Sequence, residues 1–252
     1  GAKGAKGAKG SRLPKLWMWS VDLDAESCAR LRALWAARAA EAPGLGVEVE
    51  DLHVTLLYLG GGSDAEVASR HPHLGGPGGV ARLREDLENR EGMELRLECG
   101  SLVWDERVAA AEITGPASLC ANAAPHVTLA HASLVKPRLS NELLARKAAS
   151  ADLEAGLGRW LQELGLARYE APLREWCLTM GAATPDEIAE NAADAAAAVE
   201  NRSEEERMRI AGVFARAAPG ELRVEALGKP LELRGRIVGR RRGQSSSHSA
   251  PA

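Results

Sequence analysis

Apolar and polar positions change their period several times along the chain, and each change marks an element. KLWMWSVDL (15–23) is a nearly continuous apolar run, as a buried strand requires, and AESCARLRALWAARAA (25–40) sets Leu31, Leu34 and Trp35 at helical spacing before a stop at Pro43-Gly44. VEVEDLHVTLLYL (47–59) alternates and then becomes an apolar strand that ends at Gly60-Gly61-Gly62. VARLREDLENREG reads as a helix, MELRLECGSLVW and RVAAAEIT as strands around a turn at Asp105-Glu106, and PHVTLAHASLV as a further strand opened by Pro125. From about residue 140 to 218 the period is helical, interrupted by a possible strand at REWCLTMGA (174–182). ELRVEAL and LELRGRIVG then flank Gly228-Lys229-Pro230 as a hairpin that returns the chain to the sheet. Strands and helices in this order predict an α+β protein.

Composition narrows the picture without deciding it. With 252 residues and 45% hydrophobic content there is ample material for a packed core, and a net charge of −3 provides no global footprint for nucleic acid. Cys28, Cys99, Cys120 and Cys177 lie far apart without a C-x-x-C pair, so reduced thiols are expected rather than disulfides or zinc, and no metal or cofactor is implied. LWMWSVDL is too short and too acidic for a signal or a membrane span, which favours an intracellular setting, cytoplasmic or nuclear. The chain opens on Gly rather than Met, which leaves room for segments upstream. GAKGAKGAKG at one end and RRRGQSSSHSAPA at the other read as solvated tails around a domain of residues 16–239.

One word occurs twice: HVTL at 53–56 and again at 126–129. Six His and five Thr among 252 residues would give roughly 0.1 H-x-T by chance. Side chains alternate on a strand, so His53 and Thr55 share a face, as do His126 and Thr128. Two imidazoles and two hydroxyls that converge could hold a tetrahedral phosphate, one neutral His taking a proton while a protonated one gives it.

With apolar residues at the x positions and a separation of 73 residues (126 − 53), the pair resembles the 2H phosphoesterase superfamily. PHVTLAH is most similar to the cyclic phosphodiesterase domain of fungal and plant tRNA ligases. The resemblance covers about residues 16–139 and the closing hairpin, with 140–220 as a helical insertion. It implies a bilobal fold of two pseudo-symmetric antiparallel sheets with outer helices. It also implies metal-independent hydrolysis of 2′,3′-cyclic phosphate RNA ends, to a 2′-phosphate, or of related cyclic nucleotides. His53 and His126 would then be acid and base, with Thr55 and Thr128 binding phosphate. The rival reading is a catalytically silent domain that binds RNA or nucleotide and docks a protein partner through its helical insertion.

Other residues have a structural reading beside a functional one. On regular strands Tyr58 and His131 point away from the site, though a bend would return either as a substrate contact. Lys136 and Arg138 could contact a phosphate backbone or be solvated surface charges. Trp17, Trp19 and Trp104 are expected in the core, and His71-Pro72-His73 in a solvated loop rather than around a metal.

Overall fold

A computed structural model describes residues 16–115, 117–136, 138–199, 203–218 and 220–241; both tails read from the sequence fall largely outside these residues, residues 240 and 241 excepted. The class is α+β, and its centre is a closed antiparallel barrel. Strands β1 (Leu16–Leu23), β3 (His53–Tyr58), β4 (Glu94–Trp104), β5 (Val108–Thr114), β6 (His126–His131) and β7 (Arg223–Arg241) run in the order β6-β3-β1-β7-β4-β5, and a β5–β6 pairing closes the ring. The short β2 (Val47–Glu48) pairs with the far end of β6. The expected single strand over 47–59 is therefore broken: Glu48 pairs with Ala130 but Val54 with Val127, so three residues are looped out just before His53.

One face of the barrel is apolar and the other carries chemistry. On the apolar face Trp19, Val21, Val54, Leu56, Val127, Leu129 and Ile237 pack against Leu31 and Trp35 of α1 (Ala25–Ala36) and Val80, Leu83 and Leu87 of α3 (Pro77–Asn89). At ~25 cal/mol per Å² of apolar surface, burying this face is the main term holding the barrel to its helices. On the opposite face Val103, Val108 and Ala110 form a smaller cluster with Leu143 and Leu144 of α4 (Leu139–Ala151). Gly235 lets β7 approach β1 closely, since a Cβ there would stand 2.6 Å from the Asp22 carbonyl oxygen.

The helical region has a core of its own. Leu157, Trp160 and Leu161 of α5 (Leu153–Glu163) meet Leu173 of α6 (Glu170–Met180), Ile188 of α7 (Pro185–Glu190) and Ile210 and Phe214 of α9 (Glu204–Ala217), with Trp160 stacked on Phe214 at 5.9 Å. Arg146, fully buried on α4, ties this core to the barrel. Its guanidinium bonds Asp186 at 2.7 Å and the Gly220 carbonyl at 2.9 Å, and lies 3.6 Å from buried Asp105 at the β4–β5 turn.

Two sequence expectations are corrected. REWCLTMGA is helical, within α6, because Leu173, Trp176 and Cys177 recur at helical spacing and are buried together; its β-forming composition yields to that packing. The closing hairpin is a single bulged strand: Arg223 to Ala226 pair with Trp104 to Ser101, and Leu231 to Arg236 pair with Cys99 to Glu94, in one direction throughout. Gly228-Lys229-Pro230 falls in the register slip instead of reversing the chain. Of the three tryptophans expected in the core, Trp19 and Trp104 are buried and Trp17 is half-buried, and all four cysteines are unpaired. His71 caps a short 3-10 turn that contains His73, and among the described residues no group of three or more His, Cys, Asp or Glu could hold a metal ion. No described helix is long and apolar enough to cross a membrane.

Truncating the fully buried Arg146 leaves the Gly220 carbonyl without that donor and empties its packed volume, while Asp105 keeps Arg107 at 2.9 Å, so the cost is about 1–3 kcal/mol. Arg146→Ala is therefore expected to lose about that much stability, read as a lower urea midpoint in equilibrium unfolding. A midpoint unchanged within error would show that Arg146 does not tie the two cores.

Candidate active site

β3 and β6 lie side by side, and their register is set by Val54 opposite Val127. Val54–Val127 is the pair recorded between these strands, and continuing its antiparallel register by one residue either way sets His53 toward Thr128 and Thr55 toward His126. Both valines are buried in the apolar core, which turns all four neighbours to the other face. Cross-strand neighbours are about 5 Å apart at Cβ and like positions along a strand about 7 Å, so the quartet frames a patch the size of one phosphate.

Each imidazole is held in the same way. Nδ1 of His53 lies 2.8 Å from the Asp51 carbonyl oxygen, and Nδ1 of His126 lies 2.9 Å from that of Ala124, in both cases two residues upstream. A carbonyl only accepts, so Nδ1 carries the proton and Nε2 is left for chemistry: a lone pair when the ring is neutral, an N–H when it is charged. Both rings are half-buried. Burial lowers the pKa of each, with Arg240 adding to the effect at His53, and with His53 and Arg159 adding to it at His126. That His126 feels His53 places the two rings in one electrostatic neighbourhood. Thr128 shares a 2.8 Å hydrogen bond with Ser140 of α4, which fixes its hydroxyl.

The strands flanking the quartet carry matching groups. On β1, Asp22 is opposite His53 and Ser20 opposite Thr55; on β5, Glu112 is opposite His126. Ser20 donates to Asp22 at 2.7 Å, and Ser101 of β4 donates to Glu112 at 2.8 Å. Each carboxylate also has a cation: Arg240 for Asp22, at 2.6 Å, and Lys147 of α4 for Glu112. Burial pushes the Glu112 carboxyl up, but hydrogen bonds from Lys147 and Ser101 outweigh it and leave the group below its ordinary range. Arg240 also pairs with Asp51, the residue whose carbonyl holds His53.

Bulges change the expectation for two residues. The β1–β3 register slips between Trp19 and Ser20, and the β5–β6 register between Ala109 and Ala110. Leu56 with Leu57, and Leu129 with Ala130, are consequently all buried in the core, and the next residues, Tyr58 and His131, leave it. His131 is opposite Val108, which belongs to the α4 side, so it shares the quartet's side of the sheet at some distance along the strand. Tyr58 is exposed, edge-on to Trp17 at 5.7 Å and 5.6 Å from the Arg70 guanidinium. Lys136 and Arg138 are exposed on the segment between β6 and α4.

Asp22, Glu112, Lys147, Arg159 and Arg240 are absent from the sequence reading. Ser20 and Asp22 had a signal, two polar residues at strand spacing inside an apolar run. Lys147, Arg159 and Arg240 had none, because only tertiary packing brings them near the histidines.

At pH 7 both rings should be neutral with the proton on Nδ1. Long-range ¹H–¹⁵N spectra are expected to show Nε2 at the position of an unprotonated ring nitrogen for His53 and His126 alike. A protonated Nε2 in either neutral ring would contradict the assignment.

No curated protein matches the chain. The stretch 50–161, from just before the first H-x-T through α4 and most of α5, matches the family described as the fungal tRNA ligase phosphodiesterase domain. That match supports a cyclic phosphodiesterase role in RNA processing. Residues 50–161 are thus similar to the fungal tRNA ligase cyclic phosphodiesterase domain, a 2H phosphoesterase-type domain.

Proposed function

We propose that the protein hydrolyses 2′,3′-cyclic phosphate ends of RNA, or related cyclic nucleotides, to the 2′-phosphate without a metal. The observation that carries this reading is the Val54–Val127 pairing, which turns both H-x-T pairs to one face, with both Nδ1 atoms tied to backbone. The Thr hydroxyls donate to the non-bridging oxygens of the cyclic phosphate. The neutral imidazole takes a proton at Nε2 from the attacking water as the new P–O bond forms. The P–O3′ bond breaks opposite it, and the charged imidazole gives its Nε2 proton to the departing O3′. One proton enters the site and one leaves, so the pair returns with its roles exchanged and resets through solvent.

The repeated carbonyl anchors, bulges and flanking carboxylates support two pseudo-symmetric halves that meet at β3 and β6. Residues 16–239 form the catalytic unit on this reading, with the helical stretch of about 140–220 also offering a surface to a protein partner, in a cytoplasmic or nuclear setting. Tyr58 would stack the terminal base, a reading supported by its exposure and by Trp17 and Arg70 beside it.

Purified protein in EDTA should convert a 2′,3′-cyclic-phosphate RNA end to a 2′-phosphate end. His53→Ala and His126→Ala should each lose about 10²–10⁴-fold in kcat. A protein that binds the RNA end but never turns it over would be the silent binding domain instead, and equal turnover by both variants would remove the mechanism.

The pH dependence has a definite sign. Both histidine pKa values are shifted below 6.5, so the charged acid form is lost as pH rises toward 6.5 and grows scarcer above it. The value of kcat/KM, which reports the free enzyme, should peak below pH 6.5 and fall as pH rises from 6.5 to 8.5. A rise over that interval would contradict the assignment of both groups.

A further inference from the structure

Helix α5 is held from two sides so that it reaches across the site. Near its start, Gly156 lies so close to α4 that a Cβ would stand 2.5 Å from the Ala149 Cα. Toward its end, Gln162 Nε2 donates at 3.2 Å to the carbonyl of Arg70, on α2 (Asp64–Arg70), whose side chain reaches the Tyr58 and Leu59 carbonyls at the end of β3. Between these anchors α4 is itself fixed to the site strands, by Ser140 on Thr128 and Lys147 on Glu112. Arg159 stands one turn before Gln162 and so shares its side of the helix.

Arg159 differs from the other cations near the quartet. Arg240 is engaged by Asp22 and Asp51, and Lys147 by Glu112. Among the described residues Arg159 makes no ion pair, and its Nε is buried without a hydrogen-bond partner. Its charge acts on Glu163, one turn further along α5, and also reaches Glu112 and His126 on the neighbouring strands β5 and β6. A partly buried guanidinium with an orphaned donor is costly in the free protein, and an anion between it and the quartet would complete it.

The chemistry has a vacancy of the same kind. As water adds to a cyclic phosphodiester, charge on the non-bridging oxygens grows, while the four motif side chains supply at most one positive charge. We propose that Arg159 is a phosphate-binding residue contributed by α5, which contacts the non-bridging oxygens of the reacting phosphate and stabilises the charge that develops there. This rests on the phosphodiesterase reading above. A guanidinium suits the task because its planar fork can bond two oxygens of one phosphate.

A nucleoside 2′,3′-cyclic monophosphate carries only the reacting phosphate, so it separates this role from contact with a neighbouring nucleotide. With that substrate Arg159→Met is expected to lose about 10²-fold or more in kcat/KM, and Arg159→Lys to regain part of it. The affinity for a nucleoside 2′-monophosphate, measured by calorimetry, should fall about tenfold in Arg159→Met and less in Arg159→Lys. Thermal melting identifies a Met variant that fails to fold, in which case the Lys variant, with charge kept and fork lost, carries the comparison. Unchanged 2′-monophosphate affinity and turnover in a folded variant, or a loss seen with RNA ends but not with the mononucleotide, would overturn the proposal. If the wild-type protein turns over no cyclic phosphate, the phosphodiesterase reading fails; the 2′-monophosphate titration then still decides whether Arg159 binds phosphate, and no binding by the wild type overturns both.

Discussion

The pairing of Val54 with Val127 is the constraint on which the site depends. Two buried valines set β3 against β6, and their pairing turns both histidines and both threonines to the same face. A slip of one residue would turn the quartet into the core and the valines out, so the apolar packing that stabilises the barrel also specifies the site. Stability and chemistry are thus carried by opposite faces of the same six residues of strand. The looped-out segment before His53 and the carbonyl anchors then set the rings, which no strand register could do unaided.

Charge around this centre is arranged to be spent locally. Asp22 and Glu112 flank the two histidines, yet each is neutralised by its own cation and held by its own serine. The histidines therefore meet a rim whose charge is largely balanced, and burial becomes the leading influence on both pKa values. An incoming phosphate would reverse that influence by favouring the protonated ring. The arrangement keeps both imidazoles neutral until an anion arrives, and the anion itself helps to charge the acid. The buried Arg146 cluster serves a different end: it holds the helices that bring Ser140, Lys147 and Arg159 to the strands.

What could be read from the sequence follows from the range of the forces involved. Strand parity is local, so HVTL already implied that His53 and Thr55 share a face, and the repeat implied a second such pair. The doubled apolar residues Leu56-Leu57 and Leu129-Ala130 contained the bulges, but a double apolar step also fits a fully buried strand, so the sequence left open whether Tyr58 and His131 return toward the site. REWCLTMGA shows the same limit, since its helical spacing competes with a β-forming composition and only the surrounding core decides. The second half of the site lies on helices 10 to 30 residues past the second motif or on the last strand, where no spacing rule links a lysine or arginine to a histidine. The family match reaches residue 161 and so takes in α4 and Arg159, which the sequence reading had set aside as an insertion.

The central claim is that both motifs serve one phosphate. Titrating a nucleoside 2′-monophosphate into the protein while following the Nε2 ¹⁵N resonances of His53 and His126 tests it directly. The account predicts that both resonances move with a single midpoint and saturate at one equivalent. Movement of only one ring, or two separate midpoints, would show that the repeated motif is two sites and not one.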